Sequence, residues 1–256
     1  MAETSVIVWD LETVPDLKTS ARMFGIDPDD ETKVCEALGS GFPKHPLHRI
    51  VCIGALVAKH EDQGWRVSAL GAPHVDERPE PELIRSFVDR IKQLTPQLVT
   101  FNGSGFDLPV IRYRAMINRV PAPGLQARSY FNRYSNDAID LCDVLASFSG
   151  SCKMKLDELS RILGFAGKPD GLDGGKIEAV VAAGKIDEVA RYCETDVVNT
   201  YRLWLIYDLF RGGLTTEELS WSEQQLVRYV RQGKPNNAYL QAAMDQVERG
   251  AAGAVL

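Results

Sequence analysis

The stretch VIVWDLET, residues 6–13, decides how the rest of the chain is read. A β-branched, apolar run leads into two carboxylates, Asp10 and Glu12, two positions apart. Side chains alternate faces along a strand, so residues i and i+2 point the same way. Two like charges on one face repel, and burying them is costly unless something positive or polar stands between them. Bulk water, an arginine or a metal ion would each serve. Trp9 points to the opposite face and reads as core. Leu11 also faces away from the acids, but its backbone passes close to them.

Composition narrows the setting. The chain has 256 residues with mixed apolar and charged content, which suits one α/β domain, alone or with an appended element. No stretch is long and apolar enough to span a bilayer, and the opening MAETSVIVWD has neither the basic start nor the apolar centre of a secretory leader. Cys35, Cys52, Cys142, Cys152 and Cys193 are odd in number and include no CxxC pair. That pattern predicts free, mostly buried thiols in a reducing, cytoplasmic compartment. None of the histidines pairs with a cysteine at zinc-ligand spacing. A net charge of −6 excludes a protein that coats nucleic acid by bulk electrostatics. An enzyme with a local basic groove fits, and bound divalent cations would offset a cluster of catalytic acids.

Periodicity and turn residues predict strands over residues 6–12, 49–59, 65–70, 97–101 and 138–141. Helices are expected over 82–94, 108–118, 141–148, 155–163, 187–210 and, as the terminal helix, 216–232. Residues 18–47 read as a connection holding one short helix near 31–38 and the stretch GSGFPKHPLHR. Residues 248–256, ERGAAGAVL, read as a frayed end. The order predicts a central mixed five-stranded sheet flanked by helices, in a domain over residues 1–212, with a helical extension over 213–256.

Two further places carry acids in informative surroundings. In LVTFNGSGFDLPVIRYRA, a β-rich run enters a glycine loop and Asp107 opens a helix. Catalytic groups often sit at such a strand-to-helix handover, although an N-cap role alone would also explain Asp107. Asn102 and Phe106 flank the acid, an amide and a ring suited to a sugar and a base. In VARYCETDVVNTYRLW, Tyr192 and Asp196 are four residues apart and share a helix face beside an apolar stripe. Such a tyrosine can donate to a water or phosphate beside a metal, or only to the aspartate.

In order, D-x-E, N-x-x-x-F-D and Y-x-x-x-D resemble the DEDD superfamily of 3′–5′ exonucleases, in the subclass with tyrosine in the third motif. DLET, FNGSGFD and YCETD carry the match. The second motif is similar to that of the proofreading domains of family B DNA polymerases. HPLHRIVCIGAL and KLDELSRILGFAGKPDGLDGGK look like the stand-alone bacterial group predicted as polymerase-B-like 3′–5′ exonucleases. The resemblance covers roughly residues 5–210, as judged by motif order. It implies a ribonuclease-H-like fold and two divalent cations, Mg²⁺ or Mn²⁺. It implies metal ligands at Asp10, Glu12, Asp107 and Asp196, with Asp10 shared between the ions, and a water-positioning role for Tyr192. The substrate it implies is single-stranded DNA or an unpaired 3′ end, cut to nucleoside 5′-monophosphates. An exoribonuclease acting on RNA 3′ ends and a non-catalytic nucleic-acid-binding module are the rival expectations; the sequence names no protein partner.

Asn102, Phe106 and the backbone at Leu11 are the expected substrate contacts. Arg112, Arg114, Arg119, Lys153, Lys155 and Lys168 are weaker candidates for phosphate contacts, since each also suits a solvated helix face. His45 and His48 lie in a proline-rich loop and read as structural. GLDGGK lacks phosphate-loop spacing. Asp140 either supports the site or caps the helix that follows it.

Overall fold

Residues 4–165 and 174–253 are described by a computed structural model of the chain. Strands β1 (Ser5–Pro15), β2 (His48–Glu61), β3 (Gly64–Gly71), β4 (Gln97–Thr100) and β5 (Ala138–Asp140) form one sheet in the order β3–β2–β1–β4–β5. β1, β2 and β3 pair antiparallel, whereas β4 runs parallel to β1 and β5 parallel to β4. The carboxyl ends of β1, β4 and β5 therefore share one edge.

Alternation along β1 assigns its two faces. Ile7, Trp9 and Leu11 join a core with Leu83, Ile84, Phe87 and Ile91 of α3 (Glu80–Leu94) and Leu108 and Ile111 of α4 (Asp107–Ile117). Trp9 packs against Phe87 with ring centroids 4.8 Å apart. Val6 and Val8 face the other way, onto Val197, Tyr201 and Trp204 of α8 (Ile186–Phe210). Asp10 and Glu12 continue this second face, so the alternation that buries the valines aims both acids toward α8. A bulge between Glu12 and Thr13 ends the regular register with β2 just past the second acid.

The structure departs from the sequence reading mainly in short or C-terminal helices. Residues 18–47 hold two helices, α1 (Leu17–Phe24) and α2 (Glu31–Leu38). α1 is set by its cap: Asp16 Oδ1 accepts from the Thr19 N–H at 3.0 Å and Oδ2 from the Thr19 hydroxyl at 2.6 Å. It buries only Ser20 and Ala21, although Leu17, Ala21 and Phe24 recur at helical spacing. α5 (Leu141–Leu145) stops short of 148 because Ser147 and Phe148 adopt left-handed backbone angles. After α6 (Leu156–Ile162), α7 (Ile177–Ala182) adds a turn and a half of helix that the sequence reading passed over. Lys168 and most of the glycine-rich loop lie outside the described residues.

α9 (Thr216–Gly233) is followed by α10 (Ala238–Gly253), so it is not terminal, and residues 248–253 are helical where a frayed end was expected. Both helices close over the sheet. Leu226 and Val230 of α9 and Leu240, Ala243, Met244 and Val247 of α10 belong to the same core as Val6 and Val8. α9 also lies along β3: Trp65 N–H donates to Ser222 Oγ at 2.9 Å and Leu70 N–H to the Tyr229 hydroxyl at 3.2 Å. No described helix is long and apolar enough to cross a membrane.

Because Met244 is fully buried in that core, Met244→Ala is expected to cost about 2–5 kcal/mol of stability, read from urea unfolding. A loss below about 0.5 kcal/mol, the range of surface changes, would detach α10 from the core.

Candidate active site

β1 brings Asp10 and Glu12 to the carboxyl edge of the sheet, and α8 crosses behind them. The crossing is close because β2 places a glycine opposite Asp10: Gly54 pairs with it in register. A Cβ at Gly54 would stand 2.5 Å from Cys193 Sγ and 3.1 Å from Val197 Cγ2. Any side chain there would push α8 off the sheet, and with it Tyr192 and Asp196. Cys193 lies under the acids, its Sγ 3.8 Å from Asp10 Oδ2. A hydrogen bond with Cys52, then burial, pushes its thiol pKa well up, and the charges of Asp10 and Glu12 add to this.

Asp107 reaches the same place from the other face. β4 pairs with β1 only as far as Val8, opposite Val99, so β1 runs on beyond its neighbour. There the Leu11 N–H donates to Asp107 Oδ1 at 3.0 Å. Asp107 is the first residue of α4 and is buried. Burial raises its carboxyl pKa well above the ordinary range, and the charge of Asp10 raises it further.

Asp140 fixes the loop between β4 and Asp107. It accepts from the Asn102 N–H at 2.7 Å, the Ser104 N–H at 2.9 Å and the Ser104 hydroxyl at 2.7 Å. It also caps α5 through the Cys142 N–H at 3.0 Å. Both roles weighed for Asp140 are filled by one carboxylate.

On α8, Tyr192 hydrogen-bonds Asp196, and its phenol is pushed far above its usual range by burial, then by the charges of Asp196, Glu12 and Asp10. It is therefore a neutral O–H donor at every physiological pH. Those same influences place Tyr192, Asp196, Glu12 and Asp10 in one electrostatic neighbourhood. Asp10, Glu12 and Cys193 also offer ligand atoms that all lie within 4.8 Å of one another. The donor set fits a hard divalent cation: it is rich in carboxylate oxygen, and its one sulfur is held as a protonated thiol. Crowded like charges, with an acid among them driven toward protonation, are the condition that bound cations relieve.

These groups open onto a cleft of about 720 Å³. Asp10, Leu11, Glu12, Tyr192 and Asp196 line it, together with Leu17, Leu38, Phe42, Pro43, His48 and Phe106. Phe42 is 77% exposed and packs 4.8 Å from the His48 ring and 5.4 Å from Phe106, centroid to centroid. His48, read from sequence as structural, opens β2 and is a fixed part of this lining. Its Nδ1 shares a hydrogen bond with the Thr13 hydroxyl at 3.0 Å, and its Nε2 contacts the Pro43 carbonyl at 3.0 Å.

Of the sequence-predicted residues, Asp10, Leu11, Glu12, Phe106, Tyr192 and Asp196 share the cleft. Asp107 sits behind it against Leu11, and Asn102 is not in its lining; the Asn102 amide oxygen accepts from Lys153 Nζ at 3.0 Å. None of the described basic candidates lines the cleft. Arg114 is withdrawn as a phosphate contact, because it is buried and ion-paired. It donates to Glu80 through Nε at 2.7 Å and Nη2 at 2.6 Å, and to Asp16 through Nη1 at 2.5 Å. Since Glu80 Oε1 also accepts the Ile50 N–H at 2.8 Å, this cluster ties the end of β1 to α3, α4 and β2. Phe42, Gly54 and Cys193 were not singled out from sequence. A loop aromatic and a strand glycine carry no signal until the opposite wall is known.

The sequence over residues 40–247 matches the family described as a predicted 3′–5′ exonuclease related to the exonuclease domain of PolB. That match takes in the second and third motifs and most of α10, which the expected span left out. It begins after β1, so Asp10 and Glu12 join the site through geometry and not through the matched segment. No curated protein matches the chain. Among solved structures, the chain is similar to the family B DNA polymerase from the hyperthermophilic archaeon Pyrobaculum calidifontis, with a TM-score of 0.56 and 19% identity over 89% of this chain and 29% of that one. The likeness is one of fold, the ribonuclease-H-like α/β arrangement, over under a third of the polymerase's length.

The close crossing at Gly54 gives a direct test. Gly54→Ala is expected to destabilise the protein by about 1–3 kcal/mol, and Cys193→Ala in the same chain to restore much of that loss. Additive losses in urea unfolding of the two single and the double variants would mean that Gly54 does not set the helix–sheet distance.

Proposed function

Since the chain belongs to the family of predicted 3′–5′ exonucleases related to the polymerase B exonuclease domain, we propose that it hydrolyses phosphodiester bonds stepwise from the 3′ end of single-stranded DNA, or of unpaired 3′ ends, releasing nucleoside 5′-monophosphates. One observation carries the reading: Tyr192 and Asp196 of α8 line the same cleft as Asp10 and Glu12 of β1. Asp10, Glu12 and Asp196, with Asp107 behind them, would hold divalent cations, Mg²⁺ or Mn²⁺. When bound, two such ions supply an activated water and neutralise charge on the phosphate and the leaving oxygen.

The rest is the work of the chain's own side chains. Tyr192 keeps its proton and, in place of its hydrogen bond to Asp196, would donate one to the attacking water, orienting that water toward the scissile phosphate. Asp107 holds the Leu11 N–H at 3.0 Å and so fixes the backbone between Asp10 and Glu12. Phe106 and the exposed Phe42, which share the lining of the cleft with the acids, would offer ring faces to the terminal base. Stacking reads the face of any base, so degradation is expected to be tolerant of sequence.

Digestion of 5′-labelled and 3′-labelled single strands, DNA and RNA in parallel, with Mg²⁺, Mn²⁺ or chelator, tests the reading. A 5′-labelled DNA strand is expected to shorten step by step, and the 3′ label to leave as a mononucleotide, only with a cation present. Cleavage that proceeds in chelator, or that starts from the 5′ end, would contradict the proposal. Faster loss of the RNA strand would move it to the exoribonuclease reading. Asp10→Ala and Asp196→Ala are expected to abolish turnover in folded protein. Tyr192→Phe is expected to slow it about a hundredfold, at the low end for loss of a positioned proton donor. A folded Asp10→Ala variant that turns over normally would remove the site.

A further inference from the structure

Beyond β5 the surface carries a second set of aromatic and basic side chains that the cleft does not use. Tyr134 is 72% and Phe148 38% exposed, and their rings pack at 4.9 Å. The Arg133 guanidinium lies 5.8 Å from the Tyr134 ring centre and 5.7 Å from that of Phe148. Tyr134 stands mostly in water and so gains little from burial, while Phe148 keeps more than a third of its surface open. The backbone that carries Phe148 is costly as well: Ser147 and Phe148 have φ of 49° and 60°, a region bulky residues rarely adopt. The Phe148 N–H donates to the Asp143 carbonyl at 2.8 Å, which fixes the turn that projects the ring.

The cations beside these rings are built in. Asp143 is fully buried, and its carboxylate takes Arg133 Nη2 at 2.6 Å, Lys153 Nζ at 2.9 Å and the Ser104 hydroxyl at 2.6 Å. Lys153 also donates to Asn102 in the loop that leads to Phe106 and Asp107. Arg133 and Lys153 remain about half and a third exposed, so their outer faces stay open while the acid is turned inward. This arrangement starts at the loop bordering the cleft and runs outward past β5, two strands from β1, or roughly 10 Å at ordinary strand spacing.

From this we infer that Tyr134, Phe148, Arg133 and Lys153 form a platform for an unpaired polynucleotide strand, holding the part upstream of the end that enters the cleft. The inference deepens the proposed function and rests on it for the strand's direction. Two rings tilted 58° to each other with a guanidinium beside both suit unpaired bases, and Lys153 suits the phosphate passing toward the cleft. A duplex, whose bases already stack on one another, gains nothing from the rings.

Fluorescence anisotropy of a labelled single strand of about twelve nucleotides, with calcium in place of magnesium, tests the platform without relying on cleavage. Tyr134→Ala with Phe148→Ala is expected to weaken binding about tenfold with no fall in the melting temperature. Phe148→Tyr should keep wild-type affinity. DNA and RNA strands should lose affinity alike, because ring stacking does not read the sugar. Lys153→Gln should lower the salt dependence of binding by about one phosphate contact, while the aromatic variants leave it unchanged. Unchanged affinity in the folded double variant, or an equal loss for a blunt duplex, would overturn the platform. A platform that passes in a protein that digests no strand would leave this surface standing and remove the exonuclease reading; digestion by wild type, with binding untouched in the double variant, would do the reverse.

Discussion

Repulsion between carboxylates is the constraint on which the rest of the structure depends. Asp10 and Glu12 share one face of β1, Asp107 is driven toward protonation partly by Asp10, and Asp196 meets the first two across Tyr192. Left alone, such groups would separate or protonate. They stay together because each stands on an element whose position is fixed elsewhere. β1 is the middle strand of five, α8 is anchored by a core that includes Val197, Tyr201 and Trp204, and α4 is held through the buried Arg114. Apolar packing thus supplies the work of bringing charges together, and bound cations would lower that cost.

The same logic explains the residues that support the acids. Gly54 has no chemistry, but without it α8 cannot lie where Tyr192 and Asp196 join β1. Asp140 spends its oxygens on the backbone of the loop before Asp107 and on the cap of α5. Asp143, three residues further on and inside α5, uses its own on Arg133, Lys153 and Ser104. Two neighbouring acids at the end of β5 therefore face different tasks, one shaping the loop and one setting out cations at the surface.

Much of the sheet was legible from the chain alone, because alternation over six or seven residues has few readings: β1, β2 and β3 appear where the pattern put them. So did the shared face of Tyr192 and Asp196, which follows from helical spacing. What escaped has physical reasons. α1 has only eight residues and buries just Ser20 and Ala21, so the helical spacing of Leu17, Ala21 and Phe24 is too short a pattern to stand out. α10 is rich in alanine and was judged by its glycine-containing end, yet Leu240, Met244 and Val247 lie on one helical face. Arg114 looked like a solvated base because a sequence does not show that Glu80 and Asp16, far away along the chain, converge on it. The loop residue Phe42, and His48 beside it, carry no sign of the cleft in the sequence because their partner, Phe106, lies far along the chain.

The central claim is that these acids, scattered along the polypeptide, make one cation-binding centre. Anomalous scattering from a manganese-soaked crystal tests it most directly. The account predicts manganese bound to Asp10, shared with Glu12 and Asp196, and a second ion on the side of Asp107. Manganese that binds only at other surface carboxylates, with Asp10 and Asp196 left apart, would contradict it.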